Sequence, residues 1–373
     1  MNAVKSSFAV PFDRTFFLLV IGLACFGLVM LASVSGPVGY ERFGDSYYFV
    51  KHQFLQGFLP GMLMLGVGYL IPYQTWKTYA LPMLLISIGL LVLVFIPGVG
   101  TDYGTFAHSW VQLGFLSFQP AEVVKLTFLF YLAAWLEKRG DDLKDLHSGL
   151  VPFIVILAVL SVLMMAQPDL GTLSVMAAMS LIVYFIAGGA VSHLVGLGLL
   201  ASTALGIAIK SSPYRAARLT TFLHPELDPQ GIGYQINQAL LAIGSGGVFG
   251  RGYGHSLQKF QYLPEVIGDS LFAVMSEELG FVLTTIFLLT FLFFLLRGLE
   301  IAKHAPDAFG KYLATGIMAW VGVQACINIG AMMSILPLTG VPLPFLSYGG
   351  TSLIVTLTAM GVVLNISRTH SKL

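Results

Sequence analysis

Ten apolar runs constrain this chain more than any other feature. They fall near residues 15–34, 49–71, 79–96, 120–136, 150–166, 171–188, 192–209, 271–296, 312–333 and 351–366. About 20 residues at a rise of 1.5 Å per residue span a bilayer's hydrocarbon, where the backbone must satisfy its own hydrogen bonds. The expected fold is therefore an all-α integral membrane protein of about ten transmembrane helices. Composition agrees, with 56% of the 373 residues hydrophobic and only 10% charged, whereas soluble domains carry roughly 25% charged residues. The first run follows Arg14 and ends near the small residues Ala32, Ser33 and Ser35, in the manner of a signal peptide. It is longer than a signal-peptide core, so it is read as an uncleaved first helix.

Charge sets the orientation. With the N-terminus inside, the inner segments hold Lys5, Arg14, Lys77, Lys138, Arg139, Lys144, Arg297, Lys303, Lys311, Arg368 and Lys372, and the short outer loops hold only Arg42 and Lys51. This asymmetry follows the positive-inside rule and puts both termini in the cytoplasm. Residues 97–119 and the large loop 210–270, between the seventh and eighth helices, then face outward. The chain reads as a single polytopic domain over residues 1–373, with no internal repeat. A net charge of +1 gives no concentrated basic face, which excludes nucleic acid as a partner. Cys25 and Cys326 lie inside apolar runs and offer neither a disulfide framework nor a zinc site.

Unusual polar residues gather at the outer ends of the helices. Asp269 closes the stretch Tyr262-Leu263-Pro264-Glu265-Val266-Ile267-Gly268-Asp269, where the long loop enters the eighth helix. It reads either as a helix cap or as a general base, with burial raising its pKa and the helix N-terminus lowering it. Ser276 and Glu277 follow about two turns later on the same face, and with Asp269 they suggest one polar stripe. Glu277 and Glu278 are adjacent and diverge, and ionisable groups at such depth are either functional or locked in ion pairs.

Glu122 and Lys125, in Gln119-Pro120-Ala121-Glu122-Val123-Val124-Lys125, share a face of the fourth helix. They make either a plain ion pair or a cavity lining in which Lys125 neutralises a diphosphate. Asp169, in Gln167-Pro168-Asp169-Leu170-Gly171-Thr172, is either the cap of the sixth helix or a buried acid at the outer surface. Arg215 and Arg218 share one helical turn, a spacing suited to phosphate or to anionic headgroups. Gly244-Ser245-Gly246-Gly247 lacks the features of a P-loop and reads as a flexible turn. Pro337 to Thr351, with three prolines and Ser347-Tyr348-Gly349-Gly350, cannot be a continuous helix. Irregular backbone at membrane depth persists only where protein buries it or a cavity meets it, so this segment is expected to wall a site.

In combination and order, these motifs resemble the SEDS (FtsW/RodA/SpoVE) family from Leu28 to the last helix. Details such as Phe260 to Asp269 and the Leu-Pro-Leu-Thr-Gly segment look nearer its division (FtsW) branch. Two departures stand out. Ala107-His108-Ser109-Trp110 keeps Trp110 but has Ser109 where the family has arginine, and Pro264-Glu265-Val266-Ile267-Gly268-Asp269-Ser270 replaces Pro-Glu-x-His-Thr-Asp-Phe.

The resemblance implies polymerisation of lipid II at the outer face of the bacterial cytoplasmic membrane, with Asp269 essential. It also implies a class B penicillin-binding protein as partner, alongside other division or elongation proteins. The implied chemistry is inverting glycosyl transfer, with Asp269 as base and with Lys125 and Arg215 answering the diphosphate charge. A divalent cation, Mg2+ or Mn2+, is admitted as a cofactor with its ligands unassigned. Glu122, Arg218, Trp110, Asp169, Glu277 and Ser347 complete the expected substrate-binding set. A lipid-linked precursor flippase is the alternative, since ten helices with broken segments also suit transport. A scaffold that only positions a synthase is a third.

Overall fold

The computed structural model describes residues 12–101, 109–113, 116–210, 213–224, 231–260 and 262–370. Each of the ten apolar runs contains a helix. The first is α1 (Arg14–Phe43), capped by Asp13, whose carboxylate accepts from Phe16 N at 2.8 Å, and ended by Gly44 at φ 68°. The second is broken into α2 (Tyr48–Gln53), a π-helical turn at Phe54–Phe58 and α3 (Leu59–Leu70). Then come α4 (Tyr73–Leu93), α5 (Pro120–Arg139), α6 (Val151–Ala166), α7 (Leu170–Ile186) and α8 (Val191–Lys210). The long loop contributes α9 (Pro213–Leu223) and α10 (Ile232–Ser245), before α11 (Leu271–Lys303), α12 (Ala308–Met332) and α13 (Gly350–His370). Between α4 and α5 the chain forms a small antiparallel sheet of β1 (Gly100–Thr101), β2 (Trp110–Leu113) and β3 (Leu116–Phe118), which helical periodicity could not announce.

Six helical segments among the described residues are long and apolar enough to cross a membrane, namely Arg14–Phe43, Tyr73–Leu93, Leu146–Ala166, Leu271–Lys303, Ala308–Met332 and Gly350–Arg368. Burial separates inner from outer helices: 78% of the apolar window in the last span and 67% in Ala308–Met332 lie inside the protein, against 22% in Tyr73–Leu93. The centre is thus α12 and α13, with α5 packed against both. α3 crosses α13 on bare backbone, because a Cβ on Gly361 would stand 2.2 Å from Leu65 O and one on Gly68 would stand 2.6 Å from Thr358 O. Close approach of small residues is how helices gain contact in lipid, where no hydrophobic drive separates helix from solvent. The start of α1 meets the last turns of α13 and α11: Asp13 N donates to Ser367 Oγ at 3.2 Å, and Arg297 pairs with Asp13 at 2.8 Å.

α11 is not the continuous helix its apolar run suggests. Gly280 (φ 71°, ψ −178°) interrupts it, and the backbone of residues 247–252 fills the break. Phe281 N and Val282 N donate to Gly247 O (2.9 Å) and Val248 O (3.1 Å), while Arg251 N and Gly252 N donate to Glu277 O and Glu278 O, both at 3.0 Å. These four bonds answer backbone groups that the break frees, as a low-dielectric setting demands. A Cβ on Gly280 would lie 2.0 Å from Gly250 N, and one on Gly246 would lie 2.3 Å from Ser276 O. The glycine-rich stretch is therefore tightly packed backbone and not a flexible turn. It reaches membrane depth, since Tyr253 Oη donates to Val29 O, inside the apolar span of α1, at 2.7 Å.

Candidate active site

Asp269 sits half-buried on the turn that precedes α11, one residue before the helix cap Ser270. Its carboxylate accepts no hydrogen bond among the described residues, which removes the helix-cap reading. Its main chain is firmly held. Three successive carbonyls are each taken by a donor from elsewhere: Ile267 O by Tyr348 N (2.8 Å), Gly268 O by Ser347 Oγ (2.7 Å) and Asp269 O by Asn328 Nδ2 (2.9 Å). The turn closes on itself through Gly268 N and Ser270 N, which both donate to Glu265 O. Ser347 also accepts from Leu343 N at 2.8 Å, so its hydroxyl joins two loops.

The segment at residues 336–349 walls this acid. Gly340, at φ 77°, lies against the carboxylate, and a Cβ there would stand 3.6 Å from Asp269 Oδ2. Arg218 of α9 donates to Leu338 O at 3.2 Å, and Gly171 packs so closely that a Cβ would meet Thr339 O at 2.8 Å. Burial, reinforced by the like charge of Glu265 and opposed by Arg218, pushes the Asp269 carboxyl up to about 6. Burial, one of the two effects legible in the sequence, is the largest influence on this carboxyl. A carboxylate poised near 6 and bound by no hydrogen bond among the described residues is suited to take a proton at neutral pH.

Behind the wall lies a second polar group. Lys125 and Glu122 are enclosed, at 1% and 2% exposure, and pair at 2.8 Å. Lys125 also donates to Gln324 Oε1 at 2.8 Å and stands 4.9 Å from the ring centre of Trp320. Gln324 completes its bonding by accepting from Trp320 Nε1 and donating to Pro342 O. Asp169 caps α7 by accepting from Thr172 N at 2.9 Å, while its Oδ2 is buried without a hydrogen-bond partner. Burial raises the Asp169 pKa, against the opposing pull of Thr172 and Lys125, and Glu122 adds to the rise. Both readings of Asp169, cap and buried acid, thus describe the same side chain.

The remaining expected residues are dispersed. Ser276 donates back to Phe272 O and Glu277 faces the loop, so the two form no stripe with Asp269. Glu277 accepts from Ser256 Oγ, Leu257 N and Gln258 N and pairs with Arg251, while Glu278 accepts from Ser33 Oγ and pairs with Lys259 at 2.9 Å. Trp110 lies in β2, paired with Thr101. Arg215 belongs to α9, and its side chain lies outside the described residues, as do Ala107 and His108. Sequence reasoning missed Gln324 and Asn328, one turn apart on α12. Two amides on one face of an apolar helix were the available signal.

Comparisons with known proteins identify the family. The family described as cell cycle protein (FtsW, RodA, SpoVE) matches residues 13–372. The chain belongs to that family. It is 41% identical to the stage V sporulation protein E of Bacillus subtilis (strain 168) over 358 residues, which cover 95% of this chain and 97% of that one. It is 39% identical over 357 residues to the probable peptidoglycan glycosyltransferase FtsW of Geobacter sp. (strain M18), covering 95% and 96%. Among solved structures it resembles, at TM-score 0.80 and 27% identity, a chain from work on polymerization and crosslinking by a peptidoglycan synthase complex, with 97% and 99% covered. It also resembles the rod shape determining protein RodA of Thermus thermophilus, at TM-score 0.69 and 27% identity, with 96% and 97% covered. Like its FtsW/RodA/SpoVE relatives, the chain is a multi-pass membrane protein, and its fold is theirs over nearly the full length.

Proposed function

We propose that this family member is a peptidoglycan glycosyltransferase that polymerises lipid II at the outer face of the bacterial cytoplasmic membrane. The observation that carries the reading is Asp269: a half-buried carboxylate on a pinned turn, beside Arg218 and accepting no hydrogen bond among the described residues. In this reaction Asp269 takes the proton of the acceptor's 4-hydroxyl as that oxygen attacks the anomeric carbon of the donor. The bond from anomeric carbon to diphosphate breaks in the same displacement, so the configuration inverts and the lipid diphosphate leaves. Arg218 on α9 answers the charge of the leaving group, and Arg215 is kept from the sequence as a second residue for that charge. Lys125 is enclosed, so it acts through its field from behind the 336–349 wall rather than by contact.

No ligand set for the divalent cation is assigned among the described side chains. No group of three or more His, Cys, Asp or Glu converges there, and the buried carboxylate nearest Lys125 is already paired with it. No step above is routed through a metal. The name of the synthase-complex neighbour supports a cross-linking partner, which we take to be a class B penicillin-binding protein.

The test is polymerisation of purified lipid II by Asp269→Asn protein of wild-type abundance. Loss of polymer is expected. Full activity overturns the base assignment, and lipid flipping in liposomes without polymer from the wild type would favour a flippase.

A further inference from the structure

We propose that Asn328 is a positioning residue for the reaction, holding the Asp269 turn against the segment at residues 336–349. The proposal rests on the reading of Asp269 as the base. Asn328 is 2% exposed in the interior of α12, and its amide nitrogen donates both to Asp269 O (2.9 Å) and to Val341 O (2.8 Å). Two carbonyl oxygens facing one side chain can be met only by a double donor, which fixes the amide's orientation. Its Oδ1 is buried with no partner, so the side chain is held by those two contacts alone.

One turn earlier, Gln324 donates to Pro342 O and accepts from Lys125. Adjacent carbonyls of the wall are thus fastened to adjacent turns of a single rigid helix. Asp269 Oδ2 in turn lies against Gly340, one residue before Val341. α12 thereby acts as a ruler between the acid and the buried cation. Tyr348 and Ser347 hold the two carbonyls before Asp269, but both come from the irregular segment itself. Asn328 is the one of the three anchors that belongs to a helix.

The experiment compares wild type, Asn328→Ala and Asn328→Ser for kcat, KM and the pH profile of lipid II polymerisation, per mole of folded enzyme. A loosened turn misplaces the base, and an error near 1 Å costs on the order of 100-fold in rate. Asn328→Ala is therefore expected to lose about 100-fold in kcat with KM within a few-fold. Asn328→Ser, which keeps a single donor, should fall between. Among the described residues, Glu265 on the same turn and Arg218 on α9 are the charged groups that act on Asp269. A released turn gives its carboxylate more water, so the acid limb of kcat should move to lower pH.

A merely structural role scales activity equally at every pH and leaves that limb in place. An unmoved limb, whatever the loss in kcat, overturns the proposal, and so does a kcat within two-fold of wild type. Asp269→Asn run in parallel separates the failures: if that variant is fully active, the reading of the base has failed, whatever Asn328 does.

Discussion

The two ends of the first turns of α11 carry acids treated in opposite ways. At Glu277 and Glu278 the carboxylates are saturated: Ser256, Leu257, Gln258 and Arg251 crowd the first, while Ser33 and Lys259 hold the second. At Asp269 three successive main-chain carbonyls are held, and the carboxylate accepts no hydrogen bond among the described residues. One arrangement uses charge to fasten a loop into a broken helix. The other uses backbone contacts to present a charge. The lesson is that burial alone does not mark a reacting acid in a membrane protein; unclaimed lone pairs on a rigid turn do.

If the comparison is right, substitutions at the two places should fail in different ways. The largest effect is on rate. Asp269→Asn should lose roughly 10²- to 10⁴-fold in lipid II polymerisation, the usual contribution of a positioned base, while its abundance stays normal. Lys259→Ala should fail through stability instead. It strands Glu278 as a buried, unpaired charge, which costs about 3–5 kcal/mol, and thermal unfolding in detergent would register the loss. Normal melting of that variant would break the comparison, because it would make the ion pair at the helix break dispensable.

A third outcome has the opposite sign. Asp269 has a folded-state pKa near 6, above its usual value of 3.8, so the folded state binds the proton more tightly than the unfolded chain does. Its contribution to stability is therefore fully present below about pH 4 and is lost as pH rises through about 6. Asparagine carries no such penalty, so Asp269→Asn should be more stable than wild type by about 1–3 kcal/mol at pH 7 to 8 and should lose that advantage near pH 4. Melting both proteins across this range checks it, and equal melting points at neutral pH would count against a strained acid.

Much of this arrangement was legible in the sequence. The apolar runs announced every long helix, because membrane length and hydropathy are local properties. Asp269, Glu122 with Lys125, and the Pro337–Gly350 segment stood out because polar or irregular residues are rare at such depth. What was illegible depended on contacts distant along the chain. Nothing near Gly280 says that residues 247–252 will fill its break, and Glu277 looked like a companion of Asp269 because a helix repeats its face every two turns. Only the partners, Ser256 to Gln258 and Arg251, show that it faces elsewhere. Asn328 and Gln324 were missed for a related reason: their meaning lies in the carbonyls they meet, 13 and 18 residues ahead on the chain.

The smallest expected effect sharpens the electrostatic half of the comparison. Glu265 stands on the turn of Asp269 and repels its charge, whereas Glu277 and Glu278 are paired with Arg251 and Lys259. Glu265 is exposed, so water screens most of this repulsion, and its removal should matter by only a few tenths of a kcal/mol. Glu265→Gln should therefore move the acid limb of the polymerisation profile to lower pH by a few tenths of a unit, with kcat on the plateau unchanged. A shift to higher pH would mean that Glu265 supports the Asp269 charge through a contact made only with substrate bound. A large loss on the plateau would place Glu265 in direct contact with the reacting sugar.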